Sequence, residues 1–267
     1  MNKSIKPILD FDDDFHEKFE EIGNAGIPVL AKSEYLATSM TLTGLMASAN
    51  AVKLGIYDLA EACDSHLYII KLLHRALIEH YLKFYYVLFR FLNERTDAVG
   101  LEYRKYSYIS ETLALINASS VASSMIGKST ESQILKSLKK SHPDFDISKK
   151  ELNAITYKWK HRSIVKYIIS NTKIIGNEKS YLLKLIPEYA ELSSFIHGGT
   201  SAEDYYRGVF SSEEINTLIY NEVFEAAYMA SSMKAHLLLA ITQVDKNFAS
   251  DMKLLTKMIG EFLEVNT

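Results

Sequence analysis

Arg75 and Glu79 lie four residues apart in the most apolar stretch of the 267-residue chain, the run from Leu67 to Leu92. At helical spacing a guanidinium and a carboxylate so placed share one face, offset by roughly 40° around the axis. Leu72, Leu73, Ala76, Leu77, Ile78 and Leu82 surround them, so the spacing predicts a partly buried ion pair that polar groups from another segment must meet. The segment YAELSSFIHGG offers such groups, because Tyr189, Ser193 and His197 recur every four residues just before Gly198 and Gly199. If the two faces meet, His197 can hydrogen-bond Glu79 and Tyr189 can complete the network. Two readings are then open: an acid–base site, or a locked polar core that fixes helix register.

A second pattern overlaps the first, since Arg75-Ala-Leu-Ile-Glu79-His80 places an arginine and a histidine with four residues between them. This Arg-x4-His resembles the signature of HEPN-superfamily ribonucleases, and the resemblance implies RNA cleavage. A 2′-hydroxyl attacks its own phosphate once a general base, here His80, takes its proton and a cation, here Arg75, stabilises the phosphorane. That chemistry requires no metal. In a regular helix the two side chains stand about 140° apart, so joint action needs a kink or completion across a subunit interface. A solvent-facing His80 is the plainer reading of the same position.

The cluster Lys158-Trp159-Lys160-His161-Arg162, with Lys166 one turn on, supplies cations for phosphates and one indole for a base. Trp159 is the only tryptophan, and core packing is the favoured reading for it, which leaves the basic side chains as an RNA-facing edge. No His-x3-His or Glu-x2-His pair of helical metal-site spacing occurs, and P-loop, dinucleotide and Gly-x-Ser-x-Gly signatures are missing from the sequence. The expectation is therefore no metal and no cofactor.

The elements that must position these residues read as helices. Hydrophobic residues make up 48% of the chain, and only 4 Pro and 11 Gly interrupt stretches rich in Leu, Ala, Ile, Lys and Glu. Phe11 to Ile22 forms an amphipathic helix stopped by Gly23, Gly26 and Pro28. A second runs from about Tyr35 to Lys53 with a small-residue face of Gly44, Ala47, Ser48 and Ala51, and Gly55 breaks it. A third, from about Asp58 to Asn93, would span roughly 50 Å and form the spine of a bundle. Its aromatic half, with Tyr81, Phe84, Tyr85, Tyr86, Phe89 and Phe91, suggests burial on several sides together with part of a subunit interface.

Further helices are expected over Ala98–Ile116, Ser132–Lys140, Lys149–Ser170 (capped by Ser148 with Glu151), Lys179–Phe195 and Ser212–Gln243, the last capped by Ser211 or Ser212. Ser119 to Lys128 reads as a loop or short helix, and Ser141 to Ser148 as a surface loop. Asp245 to Val265 either continues the preceding helix or folds back. Residues 1–32 read as an N-terminal helix and linker, and 33–267 as one helical-bundle domain.

Net charge is −3 but uneven: Lys128 to Lys184 carries 13 basic against 5 acidic residues, and Pro187 to Thr267 carries 5 against 12. The basic segment points to an anionic partner or to ordinary solvated helix faces. A single cysteine, Cys63, excludes an internal disulfide and fits a reducing compartment. No apolar run reaches the roughly 20 residues needed to span a bilayer, and the N-terminus lacks a secretory pattern, so a cytoplasmic protein is expected.

The succession of a small-residue helix, YDLAEACDSHLYIIKLLHRALIEHYLKFYYV, WKHRS from Trp159 to Ser163 and YAELSSFIHGG resembles the bacterial helical domain-of-unknown-function family 5677 over roughly Tyr35 to Tyr206. That resemblance implies Arg75, Glu79, Ser193 and His197 as the fixed polar points. The Arg-x4-His is also similar to the signature of HEPN-superfamily ribonucleases, which implies an all-helical, dimeric, metal-independent RNA-cleaving toxin or anti-phage defence effector. The expectation is thus an all-α bundle of seven to nine helices with a long central one, assembled as a homo-oligomer or in a protein complex. Its function is HEPN-like RNA cleavage, or alternatively non-catalytic binding or scaffolding in which the Arg-Glu-His cluster is structural.

Overall fold

The computed structural model describes residues 4–62, 66–125, 149–171, 179–197, 199, 200, 203 and 211–266. These form nine α-helices and one 3-10 turn, without strands among the described residues, so the all-α expectation holds. The helices are α1 (Lys6–Ala31), α2 (Leu36–Ala62), α3 (Leu67–Glu94), α4 (Ala98–Met125), α5 (Lys149–Lys158), α6 (His161–Asn171), α7 (Lys179–Ile196), α8 (Ser212–Ile241) and α9 (Ala249–Asn266). The expected helix at Ser132–Lys140, the loop at Ser141–Ser148 and the Ser148 cap lie outside the described residues.

α3 is the spine, packed against α2, α4, α6, α7 and α8. It is shorter than expected because its first turn starts at Leu67, and α2 takes up the residues expected at its beginning. Surrounded on these sides, Tyr81, Phe84, Tyr85, Tyr86, Phe89 and Phe91 are all buried within the chain. They leave no aromatic surface for a subunit interface, which overturns that reading of them. Tyr85 donates to Nδ1 of the half-buried His236 at 2.6 Å. Burial depresses that imidazole to about 4, consistent with a neutral ring that accepts the phenol proton.

Three glycines expected to break helices instead lie inside them, two at close helix approaches. α1 continues past Gly23, Gly26 and Pro28, because a Cβ at Gly26 would lie only 3.1 Å from Ile241 and Phe248, so the glycine seats α1 on α8. Pro28 also lies inside α1, in its last turn, where it removes the one amide that would bond the carbonyl four residues before it, and the helix ends three residues later at Ala31. Likewise α2 runs through Gly55, whose Cβ would lie 3.3 Å from Leu73 of α3. By contrast, the single helix expected over Lys149–Ser170 is divided at Trp159–Lys160, where the Ser163 amide bonds the Lys160 carbonyl at 2.8 Å.

α1 contributes Ile8, Phe15 and Phe19 to the same buried core as α2, α3 and α8, and α9 folds back on α8 and α1. Ser211 caps α8 in a reciprocal box with Glu214. Asp97, in the turn before α4, accepts from the Ala37 and Thr38 amides at 2.9 and 2.6 Å, placing a carboxylate on the N-terminus of α2 from sixty residues away. Charges also enter the core between α1, α2 and α8, where Lys53 and Asp12 form a buried ion pair. Lys234 lies beside them, and its ammonium is lowered to about 8 by burial and by Lys53.

Candidate functional site

α3 and α7 run antiparallel, as the pairings of Tyr68 with Phe195, Arg75 with Tyr189 and Tyr81 with Tyr181 require. The i, i+4 period then brings the expected polar faces together. Arg75 donates to Tyr189 Oη at 2.7 Å, Ser193 Oγ at 3.3 Å and Glu79 Oε2 at 3.3 Å, and its guanidinium lies 4.6 Å from the Tyr189 ring centroid. Lys83, one turn on, bonds the other Glu79 oxygen at 2.7 Å. Burial would raise the Glu79 carboxyl, but Lys83 and then Arg75 outweigh it and hold it below the usual carboxylate range.

His197 does not join this cluster. The helix ends at Ile196, so the residue one turn beyond Ser193 falls outside the regular helix and is exposed. The expected Glu79–His197 hydrogen bond is not formed. His161, expected at the RNA edge, stands there instead: its ring stacks on Tyr189 at 4.0 Å and 12°. Burial lowers its basicity, with Glu79 and Arg75 pulling in opposite directions.

His80 also departs from the expected pairing with Arg75, because the straight α3 helix turns it to the other side, as the 140° offset required. It lines a cleft of about 310 Å³ between α2 and α4, together with Thr41, Tyr103, Arg104, Ser107 and Glu111. Burial first and Lys83 second lower its imidazole below the ordinary range, with Glu79 acting the other way. Its Nδ1 has no hydrogen-bond partner among the described residues. The only partner of Arg104 among them is the Met40 sulfur, at 2.9 Å from Nη1.

Of the basic edge, Lys160, Arg162 and Lys166 are exposed. Lys158 is exposed as well but bonds Glu102 at 2.9 Å, as do Trp159 Nε1 at 3.1 Å and Arg90 at 2.8 Å. Trp159 is buried among Tyr86, Tyr103 and Tyr106, which confirms the packing reading and removes the indole as a base-stacking surface.

Sequence reasoning misses a second ionic centre, built on α3 from Lys71, one turn before Arg75, and His74, its immediate neighbour. Lys71 and the fully buried His74 both pair with Glu222 of α8, while His74 Nε2 faces Glu188 of α7 at 3.8 Å. Burial disfavours both charges, yet His74 and Lys71 hold the Glu222 carboxyl at about 2, and Glu222 raises His74. Glu188 is pushed up by burial and by the neighbouring Glu222 and Glu225, the latter bonded to Tyr181 and Lys184. A usable signal exists, since Glu222 and Glu225 sit in an otherwise apolar run of α8, the same anomaly that singles out Arg75.

The site thus defines an all-helical protein with two polar centres along one central helix and an open histidine–arginine cleft on its other side. No family model, curated protein or solved structure gives a significant match to the chain.

Proposed function

We propose that the protein is a metal-independent ribonuclease in which His80 works with Arg104 across the α2–α4 cleft. One observation carries the reading: the His80 imidazole, whose buried Nδ1 has no hydrogen-bond partner, and the Arg104 guanidinium, without a carboxylate partner, line the same open cleft among the described residues. His80 removes the proton of an RNA 2′-hydroxyl, whose oxygen bonds to phosphorus as the bond to the 5′-oxygen breaks. The imidazolium returns the proton to that leaving oxygen. Arg104 offsets the charge of the phosphorane, and the products are a cyclic phosphate and a free 5′-hydroxyl. Lys160, Arg162 and Lys166 offer further phosphate contacts on the exposed surface.

The resemblance to HEPN-superfamily ribonucleases supports the reaction class and extends it to a cytoplasmic toxin or defence role, with Arg104 in place of the motif arginine. The second reading is a non-catalytic binding or scaffold protein. It is favoured by Arg75, whose guanidinium already bonds Tyr189, Ser193 and Glu79. In either case Arg75 acts as a clasp between α3 and α7.

Cleavage of a mixed-sequence RNA by the purified full chain separates the two. His80→Ala and Arg104→Ala should each lower the rate at least about 100-fold with melting temperatures close to wild type. Arg75→Ala should instead cost about 1–3 kcal/mol of stability through its lost charged hydrogen bonds. Cleavage unchanged in both cleft variants, or absent from the wild type, sinks the ribonuclease reading.

A further inference from the structure

The His80 cleft is electrically polar along its length. Arg104, Ser107 and Glu111 line one wall and fall within an arc of roughly 60° at 100° per residue, so α4 presents them in a row along its axis. Arg104 stands at one end beside Met40, to whose sulfur it bonds. Glu111 stands two turns on, displaced by about 10 Å at 1.5 Å per residue. The row begins with a cation and ends with an anion. Glu111 is exposed, and its carboxylate makes no hydrogen bond or ion pair among the described residues.

A nucleotide has the complementary pattern. Its phosphate is attracted by Arg104, while the Glu111 carboxylate repels a phosphate and accepts hydrogen bonds from a base, so a single orientation satisfies both ends. The two-turn separation is comparable with the reach from a phosphate to the far edge of a purine. At about 310 Å³ the cleft is of a size for one such ligand. Tyr103, which packs on Trp159 at 5.1 Å, adds an aromatic wall.

Which base the cleft takes follows from the donors each one offers to a carboxylate. Guanine carries two adjacent donors, N1–H and the N2 amino group, which match the two carboxylate oxygens. Adenine and cytosine offer one amino group beside a ring-nitrogen acceptor, and uracil one N–H between two carbonyls, so each sets a lone pair against Glu111. The Ser107 hydroxyl, one turn nearer Arg104 and about 6 Å from Glu111 at the Cβ atoms, can donate to the adjoining O6 of guanine. We propose that the cleft takes an unpaired guanosine, its Watson–Crick edge read by Glu111 and Ser107 and its 3′-phosphate held by Arg104. The base is unpaired because pairing would occupy the same edge. Cleavage then falls on the 3′ side of guanosine, since the attacking 2′-hydroxyl belongs to the nucleotide whose 3′-phosphate Arg104 holds.

Guanosine recognition rests on the ribonuclease reading for the choice of an RNA ligand, and binding measured apart from cleavage keeps the two separable. In calorimetric titrations of the full chain, guanosine 3′-monophosphate should bind at least about tenfold more tightly than the adenosine, cytidine and uridine 3′-monophosphates, which share its phosphate. Glu111→Gln should remove that preference, because an amide accepts through one atom where the carboxylate accepts through two. The variant should melt close to the wild-type temperature, since position 111 is exposed. Cuts in a mixed-sequence RNA should follow unpaired guanosines in the wild type and lose that bias in Glu111→Gln. Preferential binding of the guanosine monophosphate with no RNA cut upholds the guanine site and sinks the reaction alone. Equal binding of the four monophosphates overturns guanine recognition, even where His80-dependent cleavage is seen. So does a guanosine preference that survives Glu111→Gln.

Discussion

Replacing Glu222 with Gln should destabilise the fold by about 3–5 kcal/mol, the cost of leaving a buried cation without its counter-charge. The carboxylate lies between Lys71 and His74, with its side chain 5% exposed, and the amide can offset neither. The same group makes stability depend on pH in a specific direction. The folded carboxyl titrates at about 2 against an ordinary 4.5, so its contribution is present above pH 4.5 and is lost as the pH falls toward 2. That shift corresponds to about 3 kcal/mol. His74 has the opposite sign: its raised value means a contribution complete below 6.5 and lost as the pH climbs through the folded value. Chemical denaturation across pH should show a maximum between these limits in the wild type. In Glu222→Gln both flanks should flatten. An unchanged acid limb in the variant would show that the carboxylate is not the group being titrated.

Gly100→Ala should be as damaging, although it adds one methyl group. An ideal Cβ there would sit 2.2 Å from the Thr38 amide nitrogen and 2.4 Å from the Ala37 carbonyl carbon. Both are backbone atoms of α2, so no side chain can swing aside, and α4 must move off the helix it packs against. Overpacking of this kind costs about 3 kcal/mol. It also pulls Asp97 from the amides it caps, for about 1 kcal/mol more. A urea titration should place the variant's midpoint well below that of Asp97→Ala, which loses the cap alone. If the two midpoints coincide, contact between α4 and α2 is looser than the geometry states.

Helical periodicity makes the Arg75 cluster legible from the residues alone. Arg75 and Glu79 can share a face only in a helix, and Tyr189 and Ser193 can meet them only if a second helix runs alongside. Spacing reaches too far at His197, because a repeat of four says nothing about where the regular helix stops; it ends at Ile196, and His197 keeps only its amide bond to the Ser193 carbonyl while its side chain is exposed. The glycines mislead for a related reason. Gly26 and Gly55 have low helix propensity, but what decides their role is the distance to Ile241 and Leu73, a property of the neighbouring helix. Glu222 is hard to single out because a glutamate in a long helix ordinarily faces water. Only the apolar company of Val223, Ala226 and Ala227 marks it as buried. Likewise the Arg-x4-His spacing draws His80 toward Arg75, when its actual companion, Arg104, comes from a helix that no motif links to it.

The Asp97 carboxylate also governs how the molecule comes apart. The first amides of a helix ordinarily exchange with solvent readily, because nothing in their own turn shields them. Here the opening amides of α2 are held by a residue beyond the far end of α3, so fraying at Leu36 cannot proceed without releasing the turn into α4. The first half of the molecule is thereby stitched into one cooperative block spanning three helices, and a loosening at either end registers at the other.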